Sequence, residues 1–191
     1  VSLALQRWQR AAGSLSARLA VLGQHFEVQR LSQRVQPLLP GEATDLHLPP
    51  GTRALVREVV LRLDGAPLVW ARSVVAARAT RGPWRALAGL GTRPLAELLF
   101  ADPAVSRSPL LAEYWRRGSR WQQRADAAWR QATGAGWPLP GVHARSSVFW
   151  RQGVPLRVFE AFHPALAGRV MLSPAPDPPT PPQTPPAPPS G

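Results

Sequence analysis

The dipeptide Asp64-Gly65 lies between two β-prone runs, REVVLRL and APLVWARSVV, and it constrains the chain more than any other stretch. A two-residue type I′ turn needs positive φ at both central residues, which Asp-Gly tolerates, so the segment reads as a tight hairpin. With a two-residue loop Leu63 faces Ala66, and counting outward pairs Leu61 with Leu68, Val59 with Trp70 and Arg57 with Arg72. Side chains alternate along a strand, so these four pairs share one face, while Glu58, Arg62 and Pro67 mark the other as the wetter. Two arginines then stand opposite each other at the end of an apolar face. Like charges directly opposed destabilise a sheet, and a guanidinium among apolar groups is costly unless an anion meets it. Either the register slips, or the arginines reach a rim and pair with Asp or Glu, or the hairpin carries a pocket for a carboxylate ligand.

A second hairpin repeats the first. RQGVPLRVFE echoes RLDGAPLVWAR, with Gln152-Gly153 in the turn and the same G-x-P-L after it. Two-residue-loop pairing places Arg145 opposite Glu160, on the face that also holds Phe149, Leu156 and Val158. An inward Glu is either the structural partner of that Arg or an acid or base for chemistry. Before the first hairpin, Ser14 is a plausible N-cap for a helix with Leu15, Leu19 and Leu22 on one face and Gly23 as its stop. HFEVQRLSQRV alternates like a strand, with Phe26, Val28 and Leu31 inward, and residues 37–52 read as a Pro- and Gly-rich loop. GPWRALAGLGTRPLAELLF holds two short helical pieces broken at Gly91, the second starting with Pro94, which puts Leu95 in the first turn. First-turn amides have no intrahelical acceptor and serve as anion donors; Ser14-Leu15 offers a second such terminus. SPLLAEYWRRGSRWQQRADAAWRQATGAGWPLPG mixes Trp with Arg. That mixture suits either a base-stacking surface or an amphipathic helix followed by a Gly/Pro loop, and the helix is expected.

A length of 191 residues, 45% of them apolar, fits one domain with a real core. The formal charge of +12 invites a nucleic-acid partner, yet all 23 basic residues are Arg and none is Lys. That is compositional bias; it favours an anionic ligand, and no nucleic acid is expected. The absence of cysteine excludes disulfides, thiolate metal sites and a Cys nucleophile. His25, His47, His143 and His163 show no HxxxH or HxH spacing, so no metal is expected. No apolar run approaches the roughly 20 residues that span a bilayer, and VSLALQRWQR is too short and too quickly charged for a signal peptide, so a cytoplasmic protein is expected. Residues 173–191 hold ten of the 23 prolines and no apolar residue larger than Ala. They read as a disordered, polyproline-like tail on a domain of residues 1–172.

Taken in order, LVREVVLRLDGAPLVWARSVV, LGTRPLAELLF and the GVPLRVFEAFHP ending resemble the chorismate pyruvate-lyase family, over most of residues 10–165. The resemblance implies an α+β fold, a single antiparallel sheet with helices packed around it that encloses a buried, aromatic-sized site. It implies a monomeric, cofactor-independent lyase that converts chorismate to 4-hydroxybenzoate and pyruvate, the first step towards ubiquinone. In the family an Arg side chain and two backbone amides hold the aromatic carboxylate and a Glu meets the ring hydroxyl. By motif these are Arg57 in VREVV, the amides of Leu95 in TRPL and Leu15 in GSLS, and Glu160 in VFEAF. Arg57 and Glu160 would be the catalytic pair, and Arg72 or Arg145 would meet the enolpyruvyl carboxylate. The segment from Tyr114 to Gly141 looks longer than in compact members, and the proline tail has no family counterpart. The rival reading is the effector domain of bacterial transcription regulators, which shares this fold and binds small ligands without turnover.

Overall fold

The computed structural model describes residues 2–169; the proline-rich segment lies outside them. Its elements, in chain order, are helix α1 (Ser2–Arg10), helix α2 (Leu15–Ala20), strand β1 (Phe26–Pro37), helix α3 (Pro40–Asp45), strands β2 (Arg53–Leu63) and β3 (Ala66–Ala76), helices α4 (Arg85–Ala88) and α5 (Leu95–Phe100), strands β4 (Val105–Arg107) and β5 (Leu111–Trp115), helix α6 (Arg120–Thr133), and strands β6 (Val142–Arg151) and β7 (Val154–Phe162). The strands form one antiparallel sheet in the order β1-β2-β3-β7-β6-β4, with β5 also paired to β6. This is the single-sheet α+β architecture that the resemblance implies, with the two hairpins at its centre.

Both hairpin turns have the expected backbone: Asp64 and Gly65 lie at φ 51° and 77°, Gln152 and Gly153 at 52° and 73°. The first turn is also tied down from outside. The Asp64 carboxylate accepts the N–H groups of Gln24 and His25, both at 2.8 Å, and these bonds hold its pKa below the usual range.

The two hairpins differ in register. In β6–β7 the pairing runs without a break from Arg151 opposite Val154 to Arg145 opposite Glu160, as expected. In β2–β3 Leu63 faces Ala66 and Arg62 faces Pro67, but Leu61 then faces Val69, so Leu68 is an extra residue. Its carbonyl accepts the His163 N–H at 2.9 Å, beyond the end of β7. This bulge corrects the expected pairing: Arg57 stands opposite Ser73, and Arg72 stands opposite Glu58 on the other face. The apolar pattern could not show the slip, because Leu68, Val69 and Trp70 are all buried and either register hides apolar groups.

The sheet is covered on both faces. On the back, α6 buries Ala125, Ala128 and Trp129 with Val60, Trp70, Phe159 and Ala161. The Ser119 hydroxyl caps α6 by accepting the Gln122 N–H, and Gly134 ends it at φ 77°. Helix α3 also covers this face, in the stretch expected to be loop, and brings Glu42 onto Arg72. Arg72 Nε donates to Glu42 Oε1 at 2.6 Å and Nη1 to Glu58 Oε1 at 3.0 Å. On the front, α1 and α2 pack Leu5, Trp8, Leu15 and Leu19 against Val59, Leu61 and Phe162, while Trp84, Leu87 and Leu99 pack against Leu55, Phe149 and Leu156. The opening helix Ser2–Arg10 was not read from the sequence. Strand β4, just before the Trp- and Arg-rich stretch, and strand β5, inside it, were also missed.

Candidate functional site

Between the two front-face clusters lies a cavity floored by the sheet. Arg57, Val59 and Leu61 of β2, Ala71 and Ser73 of β3, Val158 and Glu160 of β7, and Arg145, Ser147 and Phe149 of β6 form the floor, with Leu15 and Leu95 over it. The space among them, counting the open mouth, is about 580 Å³.

Arg57 is 2% exposed. Its Nη2 donates to the carbonyls of Gly91 and Arg93, both at 3.1 Å, and its Nε has no hydrogen-bond partner. Among the described residues no carboxylate lies within ion-pair distance of it. Burial, and then the charge of Arg30, lowers its pKa to about 10. The two carbonyls belong to the loop before α5, so the same contact that orients the guanidinium also places the Leu95 amide. Leu95 is the first residue of α5, with Pro94 as N-cap rather than first helical residue, so its N–H has no intrahelical acceptor. Leu15 stands in the same position at the start of α2, after the Ser14 cap.

Glu160 faces the same cavity from β7 and accepts from Arg145 Nε at 2.5 Å. Arg145 is 1% exposed and its Nη1 donates to the Trp8 and Ala11 carbonyls at 3.2 and 2.6 Å, at the C-terminal end of α1. Arg145 therefore fixes Glu160 and α1 together. Arg72, although it borders the cavity, has its guanidinium in the ion pairs with Glu42 and Glu58 and 6.0 Å from the Trp121 ring of α6. The structure thus brings Arg57, Glu160, Arg145, Leu15 and Leu95 into one cavity and commits the Arg72 charge to the opposite face.

Two groups here escaped the sequence reading. Arg107 of β4 lies over the rings of Phe100 and Phe149 at 5.7 and 5.1 Å, and its Nε donates to Ser147 Oγ at 3.1 Å. Ser73 was hidden by the bulge, since only the slipped register turns it inward. An anionic ring fits the whole arrangement, with a buried cation at one end, a carboxylate at the other and aliphatic walls between.

The model of the chorismate lyase family matches residues 1–171. The chain belongs to the chorismate lyase family. A probable chorismate pyruvate-lyase of Albidiferax ferrireducens is 47% identical over 157 residues, 82% of this chain and 80% of that one. Another, of Azoarcus sp. strain BH72, is 42% identical over 165 residues, 86% of each. Among solved structures, the C-terminal domain of PhnF superposes with a TM-score of 0.55 at 15% identity, covering 81% of this chain and 91% of the other. The ligand-binding domain of a GntR-family regulator from Bordetella bronchiseptica gives 0.51 at 16%, covering 73% and 86%. At those identities the likeness is one of fold. This chorismate lyase family member thus has a fold like those ligand-binding domains and places Arg57, Leu95 and Glu160 in one cavity.

Proposed function

We propose that this chain cleaves chorismate to 4-hydroxybenzoate and pyruvate, and so supplies the aromatic ring of ubiquinone. The observation that carries the reading is Arg57, a buried cation whose Nε lacks a partner, in the same cavity as a carboxylate. The ring carboxylate of the substrate supplies the missing anion, held by Arg57 and the amides of Leu95 and Leu15. Glu160, oriented by Arg145, receives the ring hydroxyl.

In the reaction the C–O bond between ring and enolpyruvyl group breaks and the ring loses one hydrogen. The departing enolpyruvate gains a proton and becomes pyruvate. Aromatisation drives the step, so no cofactor has to supply electrons. The protein holds the dianion in a dry site with the breaking bond aligned, and its positive charge stabilises the leaving enolpyruvate. Arg145 and Arg107 bring that charge to the wall away from Arg57. Arg72, held by two carboxylates behind the sheet, has no part in it. The purified protein incubated with chorismate should release 4-hydroxybenzoate and pyruvate in equal amounts. Binding of 4-hydroxybenzoate with no pyruvate formed would instead favour a ligand-binding domain without turnover.

A further inference from the structure

Ser73 is 3% exposed, faces the cavity, and its hydroxyl has no hydrogen-bond partner. Its cross-strand neighbour is Arg57, whose Nε is likewise without a hydrogen-bond partner. A buried hydroxyl without a partner costs free energy, and here it lies directly opposite a buried, unneutralised cation. The residue directly flanking Ser73 on β7 is Val158, Val59 and Ala71 beside it are apolar, and the nearby Glu160 carboxylate is taken by Arg145. Both orphaned groups are donors that a single anion would satisfy.

We infer that Ser73 is a substrate-binding residue whose hydroxyl, with Arg57 Nε, forms a two-donor seat for the aromatic carboxylate. Ionised carboxylate oxygens accept about four hydrogen bonds between them. Arg57, the Leu15 and Leu95 amides and the Ser73 hydroxyl supply four donors from three directions. This division also explains why Arg57 spends its Nη2 on the Gly91 and Arg93 carbonyls. That contact fixes the loop, and the seat is made by the remaining edge of the guanidinium with the serine. The inference deepens the lyase reading, since the carboxylate in question is the one that substrate and product share.

The test is calorimetric binding to the parent protein and to Ser73→Ala, using 4-hydroxybenzoate, benzoate and p-cresol, in which a methyl group replaces the carboxylate. The thermal midpoint of each protein without ligand is measured alongside. Losing one hydrogen bond to a charged group should weaken both carboxylates by roughly ten-fold or more. The affinity for p-cresol should be unchanged and the midpoint no lower, because no intramolecular bond is lost. If Ser73→Ala binds 4-hydroxybenzoate and benzoate as the parent does, or loses p-cresol equally, or melts earlier, the inference is wrong. Its fate is separable from that of the lyase reading. A parent that makes no pyruvate from chorismate, yet binds benzoate in a Ser73-dependent way, would sink the reaction and keep the seat.

Discussion

Arg57 shows how a single position carries both a cost and a function. Its place on the inner face was legible, because alternation along REVVLRL sets it with Val59 and Leu61. Its neighbour was not, since the bulge at Leu68 replaces the expected Arg72 with Ser73. The expected repulsion between two arginines is therefore absent, and what opposes the Arg57 charge is burial. That cost appears as its pKa, lowered to about 10 by desolvation and then by Arg30. Arg57→Met removes the buried charge while filling a similar volume, and the carbonyls it frees belong to Gly91 and Arg93, neither of them buried. The empty variant should melt no lower than the parent, and the rise in thermal midpoint that 4-hydroxybenzoate gives the parent should vanish. A variant that melts markedly earlier would make Arg57 a structural residue first. Leu95 and Leu15 were legible for another reason: a main-chain donor depends on where a helix starts, which Pro94 and Ser14 announce.

Among elements, the hairpins were readable from their turns and α6 from its cap and period, whereas α3 was not. PGEATD is six residues in a Pro- and Gly-rich stretch, and what makes it a helix is largely tertiary. Glu42, 0% exposed, receives two hydrogen bonds from Arg72, and its other contact is the Leu39 N–H at the helix start. Glu42→Ala leaves Arg72 buried with only Glu58, so stability in chemical denaturation should fall by about 3–5 kcal/mol. At stabilising temperature, the affinity for 4-hydroxybenzoate should hold, because α3 lies behind the sheet. A loss under 1 kcal/mol would show that water replaces the carboxylate. The single 3-10 turn Pro164–Gly168 that follows β7 carries a titrating cap, His163. His163 stacks on Trp129 at 4.7 Å, its Nδ1 accepts the Ala165 N–H, and burial lowers its pKa. For a base with a lowered folded pKa, the unfolded chain takes up the proton first. Its stabilisation is intact above the ordinary value of 6.5 and is lost as pH falls towards the folded value. The thermal midpoint should therefore drop on acidification below 6.5 more steeply in the parent than in His163→Asn, which keeps a capping oxygen without titrating. Parallel pH profiles would remove His163 from the account.

At the scale of the whole molecule, most of the buried ion pairs lie behind the sheet, while Arg145–Glu160 lies in the front cavity. Behind the sheet the pairs are Arg72 with Glu42 and Glu58, Arg124 with Glu58, Arg157 with Asp45. In front, between two apolar clusters, Arg57 and Ser73 keep unpartnered atoms. Alternation alone announces the existence of two faces. Which arginine belongs to which face depends on one inserted residue, and that is why Arg57 and Arg145 were legible as inward-facing while Arg72 was set on the wrong face. No helix among the described residues is long and apolar enough to cross a membrane. The claim that Arg57 clamps the aromatic carboxylate is tested most directly by Arg57→Lys, which keeps a positive charge but loses the planar fork. The measurement is 4-hydroxybenzoate affinity by calorimetry together with kcat/KM for chorismate on the same protein. Both should fall roughly ten- to a hundred-fold, as expected for one lost hydrogen bond to a charged group. A variant that binds the product and turns over chorismate as the parent does would place the carboxylate elsewhere and contradict the account.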